Sequence, residues 1–354
     1  MPVTTIVWPP VRRIAIIAAA VAAGQPMCEA QIKPLGLVPA TPNRALFDGA
    51  PARFYMYTNR SFEGRSSRPW QGGKYGYVRN PKRTKSGIVY TRFHEGIDIR
   101  PVERDRSGVP LDIVRSIAGG KVVYINASSG GSSYGRYIVV EHDWGYGKFY
   151  SLYAHLASIR CSVDQSVRPG TALGVLGYSG VGLDRTRAHL HLELNMMLSS
   201  RFTTWHSRRY QSPNKHGKFN GLNLAGIDIA GLYLKHREDP DITIPQFISR
   251  MGLYCKILVP NTGKPELLRD YPWLGRNMAL ADDNPSWELA LSSSGVPLAL
   301  SPSERKVSRP TVSWVRYSSV PHTNNTRGRL SGSGTTASLT SSGSAYIQLL
   351  MGAF

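Results

Sequence analysis

The chain has 354 residues, 41% hydrophobic and 19% charged, a balance that excludes both a disordered polymer and a protein of many membrane spans. Lysine and arginine number 43 against 23 aspartates and glutamates, a formal net charge of +20. An excess of that size calls for an anionic partner: nucleic acid, a membrane surface or an acidic wall polymer.

In chain order the first predicted element is a leader. Arg12-Arg13 precedes an apolar run from Ile14 to Ala23, and Gly24-Gln25-Pro26 follows. A run this short cannot span a bilayer, but it suits the apolar core of a secretory signal peptide. Residues 1–30 are therefore read as a signal peptide, cleaved after Gly24 or, by preference, after Ala30; a short buried helix is the competing reading. The residues after the twin arginines fit the folded-protein export route poorly, and Gln25-Pro26-Met27 is the wrong lead-in for a lipoprotein at Cys28. Export implies a periplasmic or extracellular protein with no stable transmembrane segment after cleavage. It disfavours nucleic acid and leaves peptidoglycan or another anionic cell-envelope polymer as the partner. It also leaves two cysteines, Cys161 and Cys255, in an oxidising space that favours a disulfide between them. The competing reading is two small apolar residues in their own strands.

Residues 31–72, rich in Pro, Arg, Asn and Ser, read as an irregular, poorly structured lead-in. From 73 to 200 short β-prone runs alternate with glycine-containing turns: Gly87–Tyr90, Gly120–Tyr124, Tyr137–Glu141, Phe149–Tyr153, Ala172–Leu176 and Leu190–Leu194. No long 3.6-residue periodicity intervenes, so the prediction is a mainly β, antiparallel domain. Ser128–Ser133 reads as a long hairpin loop; it lacks the lysine and following helix of a phosphate cradle. Residues 201–275 are expected to be a mixed helix and strand extension. It opens with a basic aromatic loop over 201–223, followed by a helix within 239–251, a strand at 254–259 and a short helix at 265–271. Residues 276–354 read as β-prone and turn-rich, with a mobile Ser/Thr/Gly tract over 331–344.

Three clusters carry chemistry. His94 and Asp98, in His94-Glu95-Gly96-Ile97-Asp98, are an even number of residues apart and share a face of an extended chain. Both are ordinary zinc ligand types, although an unrelated surface pair would look the same. His189-Leu190-His191-Leu192-Glu193-Leu194 alternates strictly, giving a strand with one apolar face and one presenting His189, His191 and Glu193. Burying such a face is costly unless its groups are bound to something. His155, in Tyr153-Ala154-His155-Leu156, gains interest only beside the other two.

Together these segments resemble the LytM/lysostaphin-type zinc metallopeptidases. Further matches are Ile117–Val123, Val167-Arg168-Pro169-Gly170 and Leu173–Gly180, so the resemblance covers about residues 75–200. It implies an antiparallel β-sheet groove holding one Zn²⁺ through His94, Asp98 and His191, with a fourth position open to water. It assigns His155 and His189 to catalysis, orienting that water, taking its proton and stabilising the oxyanion. Glu193 becomes a candidate for fixing an imidazole, with a solvated strand carboxylate as the competing reading. One departure stands out: Val181–Ala188 is more charged than the family's usual lead into the His-x-His strand, which puts substrate preference in question. His142, His206, His216, His236 and His322 are read as structural or surface histidines, with His206 and His216 as candidates to line the groove. Asn220–Asn223 either shapes a substrate wall or turns the chain. The implied function is an exported endopeptidase acting on peptidoglycan peptides. The alternative is a non-catalytic LytM-like regulator or wall-binding protein that activates another hydrolase. Such regulators lack part of the His/Asp set, which is complete here.

Overall fold

The structure is a computed structural model that describes residues 32–280 and 283–354. The predicted signal peptide, with Cys28, lies outside the described residues.

The predicted antiparallel domain is present. Ser166–Val167, Gly120–Asn126, Tyr137–Asp143, Lys148–Ala154, Leu190–Met197 and Leu224–Ile227 lie side by side in that order, and Ile97–Ile99 pairs with the other end of Leu190–Met197. A three-stranded antiparallel sheet, Leu156–Ile159, Ala172–Leu176 and Ile113–Arg115, adjoins it in sequence. The hairpin Gly76–Thr84 with Gly87–His94 leads into the site.

Period-two alternation sets the sheet's two faces. Leu190, Leu192, Leu194 and Met196 point into the main core, while Met197 packs with Tyr137, Val139, Tyr150, Leu152, Phe219 and Leu224 on the other side. The second face is thus covered by residues beyond 200. There the expected basic loop contains the helix Phe202–Arg209, whose Phe202 and Trp205 are buried. Leu224–Ile227 then extends the sheet itself past the predicted boundary at 200.

The C-terminal region forms a second four-stranded antiparallel sheet: Pro297–Ser303, Ser286–Ser292, Leu253–Pro260, Thr311–Val315. It shares one continuous core with the first sheet. The helix Ile244–Ser249 begins in a full capping box between Thr243 and Gln246, and Glu266–Asp270 forms the short helix expected there.

Three expectations are corrected. Residues 32–72 are not a poorly structured lead-in, because Leu35, Phe54, Tyr55 and Met56 are buried. Backbone bonds strap this segment down, with Val38 N–H donating to Ile117 (2.8 Å) and Trp144 Nε1–H to the Leu35 carbonyl (3.1 Å). The Ser/Thr/Gly tract is ordered: Thr340 Oγ1 accepts from Gly343 N–H (3.0 Å) and caps the helix Ser341–Met351, whose Tyr346, Ile347, Leu349 and Leu350 enter the core. The disulfide is not formed, since Cys161 and Cys255 are both free. Cys161 lies in the loop just beyond the strand Leu156–Ile159, whereas Cys255 lies within the strand Leu253–Pro260 of the C-terminal sheet. Burial pushes the Cys255 thiol up to about 12 and raises that of Cys161, so both behave as small apolar side chains.

Candidate metal centre

The site lies where three strand ends meet. His94 closes Gly87–His94, and two residues later Ile97–Ile99 pairs with Leu190–Met197 so that Asp98 stands directly across from His191. Gly96 permits this approach, since a Cβ there would come 2.3 Å from the Leu192 carbonyl. On the other flank His191 pairs with Ala154, and the next residue, His155, takes a left-handed φ of 65°. That conformation is strained for a side-chain-bearing residue and turns the imidazole into the site.

All five residues singled out in the sequence come together here and are buried. His94 Nε2 and Asp98 Oδ1 are 3.1 Å apart, His191 Nδ1 and Asp98 Oδ1 3.0 Å, and His94 Nε2 and His191 Nδ1 3.1 Å. Among the described residues this is the one His/Cys/Asp/Glu group able to hold a metal ion.

The outer hydrogen bonds decide which ring nitrogens face inward. A carbonyl can only accept, so His94 Nδ1–H donates to Lys74 (2.8 Å), His189 Nδ1–H to Arg187 (2.6 Å) and His155 Nδ1–H to Ser179 (3.0 Å). Each therefore turns Nε2 towards the site. His191 is reversed: its Nε2–H donates to Glu193 Oε1 (2.7 Å), leaving Nδ1 inward. Glu193 is held in turn by Tyr134 Oη–H (2.8 Å) and Asn195 Nδ2–H (2.9 Å), so it positions His191 and is no solvated carboxylate.

Two imidazole lone pairs and a carboxylate oxygen therefore converge, and only a cation can reconcile them. Donors of a tetrahedral zinc site stand roughly 3.3 Å apart, so the set fits that ion. Without a metal, a proton serves. Burial pushes His191 down, yet bonding to Asp98 and Glu193 outweighs it and lifts the pKa to about 10. Burial also lowers His94, and it holds His155 well below the ordinary range with help from His189 and His191. At Asp98 burial acts upward, but His94, His189 and Arg79 hold the carboxyl well below its usual value.

The groove around the centre has a cavity volume of about 620 Å³. Its walls include Ser132, Ser133 and Tyr134 from the long loop, together with His216 and Asn220–Leu222. His206 instead packs against Phe202 and Tyr210. His142 is buried, bonded to Gly119 and Ser151, and His322 bonds Tyr254, both as structural histidines. Sequence reasoning missed two wall residues. Arg79 Nη2 lies 2.5 Å from Asp98 Oδ2, aimed there by a register shift between Tyr77 and Arg79 in its hairpin. Arg327, from the C-terminal region, pairs with Glu95 and lies over the Phe93 ring.

Among the described residues no helix is long and apolar enough to cross a membrane. Among curated proteins no match is found. Solved structures similar to the chain include the catalytic domain of a mutant of the prophage-encoded M23 protein EnpA from Enterococcus faecalis, 24% identical over 34% of this chain and 75% of that one, TM-score 0.25. The catalytic domain of the antimicrobial peptidase lysostaphin from Staphylococcus simulans is 24% identical over 35% and 82%, TM-score 0.25. A zinc-containing peptidase from Vibrio cholerae is 24% identical over 40% and 36%, TM-score 0.25. The LytM/lysostaphin resemblance read from the motifs is matched by a family model, peptidase family M23, over residues 92–201.

Proposed function

We propose that this chain is an exported zinc-dependent endopeptidase that hydrolyses peptide bonds in peptidoglycan stem peptides or cross-links. The observation that carries the reading is the convergence of three donor atoms, His94 Nε2, Asp98 Oδ1 and His191 Nδ1, with two further histidines beside them. In this reading His94, Asp98 and His191 hold the metal. When bound, zinc supplies Lewis acidity and brings the pKa of a water at its open position to roughly 7.

The remaining steps belong to the chain's own residues. His155 is kept neutral by burial and presents Nε2, so it can take the proton of the attacking water. His189, its ring 4.8 Å from that of His155, presents an Nε2 lone pair to the same space and can accept from the attacking water to orient it. His155, once it has taken the proton, can donate Nε2–H to the oxyanion that forms on the peptide carbonyl. The carbonyls of Ser179 and Arg187 fix both tautomers, so neither ring has to reorient. Glu193, Tyr134 and Asn195 hold His191 in place. Export rests on Arg12-Arg13 and the apolar run Ile14–Ala23.

Digestion of purified peptidoglycan with the zinc-loaded protein, followed by mass spectrometry, tests the reading. Release of fragments ending at a new peptide terminus is expected. Intact peptides, together with stimulation of a second wall hydrolase, would replace it with the regulator reading, against which the complete five-residue set argues.

A further inference from the structure

The charged segment before His189, which departs from the family's usual composition, reaches the groove through Arg187. Four arginines, Arg79, Arg92, Arg187 and Arg327, line that groove against three carboxylates, Glu95, Asp98 and Glu193. Each carboxylate is already engaged: Glu95 by Arg327, Asp98 by Arg79 and the histidines, Glu193 by His191, Tyr134 and Asn195. Arg92 and Arg187 form no ion pair among the described residues, and Arg187 Nε is buried without a hydrogen-bond partner. A buried guanidinium N–H left unbonded carries a desolvation penalty that an acceptor would remove. Independently, Arg92 stands directly across from Arg79 in the hairpin register, and like charges in that position repel. A bound anion relieves both defects at once.

We propose that Arg187 and Arg92 read a free carboxylate on the substrate, so that the groove selects carboxylate-bearing peptides over uncharged ones such as polyglycine. This rests on the peptidase reading above and deepens it. Arg187 lines the groove and carries a planar fork of donors suited to a carboxylate.

The test uses the zinc-loaded full chain carrying His155→Ala, titrated calorimetrically with a short peptide bearing two free side-chain carboxylates and with its amidated twin. The free-carboxylate peptide is expected to bind about tenfold tighter, and Arg187→Gln or Arg92→Gln, each with an unchanged thermal midpoint, should cut that preference to about threefold or less. Equal affinity for the two peptides, or a loss in Arg187→Gln that is the same for both, overturns the proposal. A preserved preference in a protein whose His155-containing parent cuts neither peptide overturns the peptidase reading and leaves this one standing.

Discussion

The strand Leu190–Met197 and the helix Ser341–Met351 are both largely buried, but for different reasons. The strand carries His191, Glu193 and Asn195 into the interior, and each is tied to a named partner, so its sequence is set by chemistry as well as packing. The helix buries an apolar stripe ending in Leu349, Leu350 and Met351, and any sequence of similar volume and pattern would serve. A region whose residues must present particular atoms writes motifs; a region that only fills space writes patterns shared with countless unrelated folds. Yet both contribute to one core, and Arg327 and His216 bring the packed region to the edge of the chemical one.

The largest effects should separate the two roles inside the site. Asp98→Ala should abolish both metal uptake and hydrolysis, whereas His155→Ala should retain about one zinc per chain and lose about 10²- to 10⁴-fold in turnover. Elemental analysis beside a peptide-release assay distinguishes them; equal metal loss in both variants would mean that His155 is a ligand.

Next comes the union of the two regions. Leu350→Ala removes a fully buried side chain from the C-terminal helix and should cost about 2–5 kcal/mol. Because the core is shared, calorimetry should show the whole protein melting earlier in a single transition. Two transitions, only one of them shifted, would make the regions independent.

A third effect lies beneath the sheet, away from the candidate metal site. Burial holds His142 neutral, with a pKa down to about 4 against an ordinary 6.5. Between those values the unfolded chain binds a proton that the folded chain refuses. Stability is therefore full above pH 6.5 and falls as the pH drops towards 4, by about 3 kcal/mol. His142→Gln should flatten that decline in urea midpoints measured at pH 7 and 4.5, and parallel slopes in the two proteins would show that another group is responsible.

The smallest expected change is at the support of His191. Glu193→Gln keeps the shape but removes the charge, and should weaken zinc binding about 10- to 100-fold in a competition with a chelator. An unchanged affinity would reduce Glu193 to packing.

Much of the candidate site's geometry was legible because alternation and even spacing place His94, Asp98, His189 and His191 without knowledge of the fold. Arg79 was not, because its aim at Asp98 depends on a register shift within the hairpin that no local spacing reveals. The helix Ser341–Met351 was missed for a different reason. Its first turn is Ser-Ser-Gly-Ser, poor helix formers that suggested mobility, and it holds because Thr340 caps it and its apolar end is buried. The disulfide expectation failed because two cysteines were counted without knowing that one lies in a loop after Leu156–Ile159 and the other inside the C-terminal sheet.

The pairing of Glu95 with Arg327 spans 232 residues of chain. In the order of synthesis, His94, Asp98 and His191 all emerge well before the arginine that finishes the wall beside them. A nascent chain therefore holds these three side chains, with the walls from Ser132–Tyr134 and Asn220–Leu222, before the edge at Glu95 is closed by Arg327. That edge of the groove is thus the last to be supplied, by an arginine that follows every other lining residue in the chain.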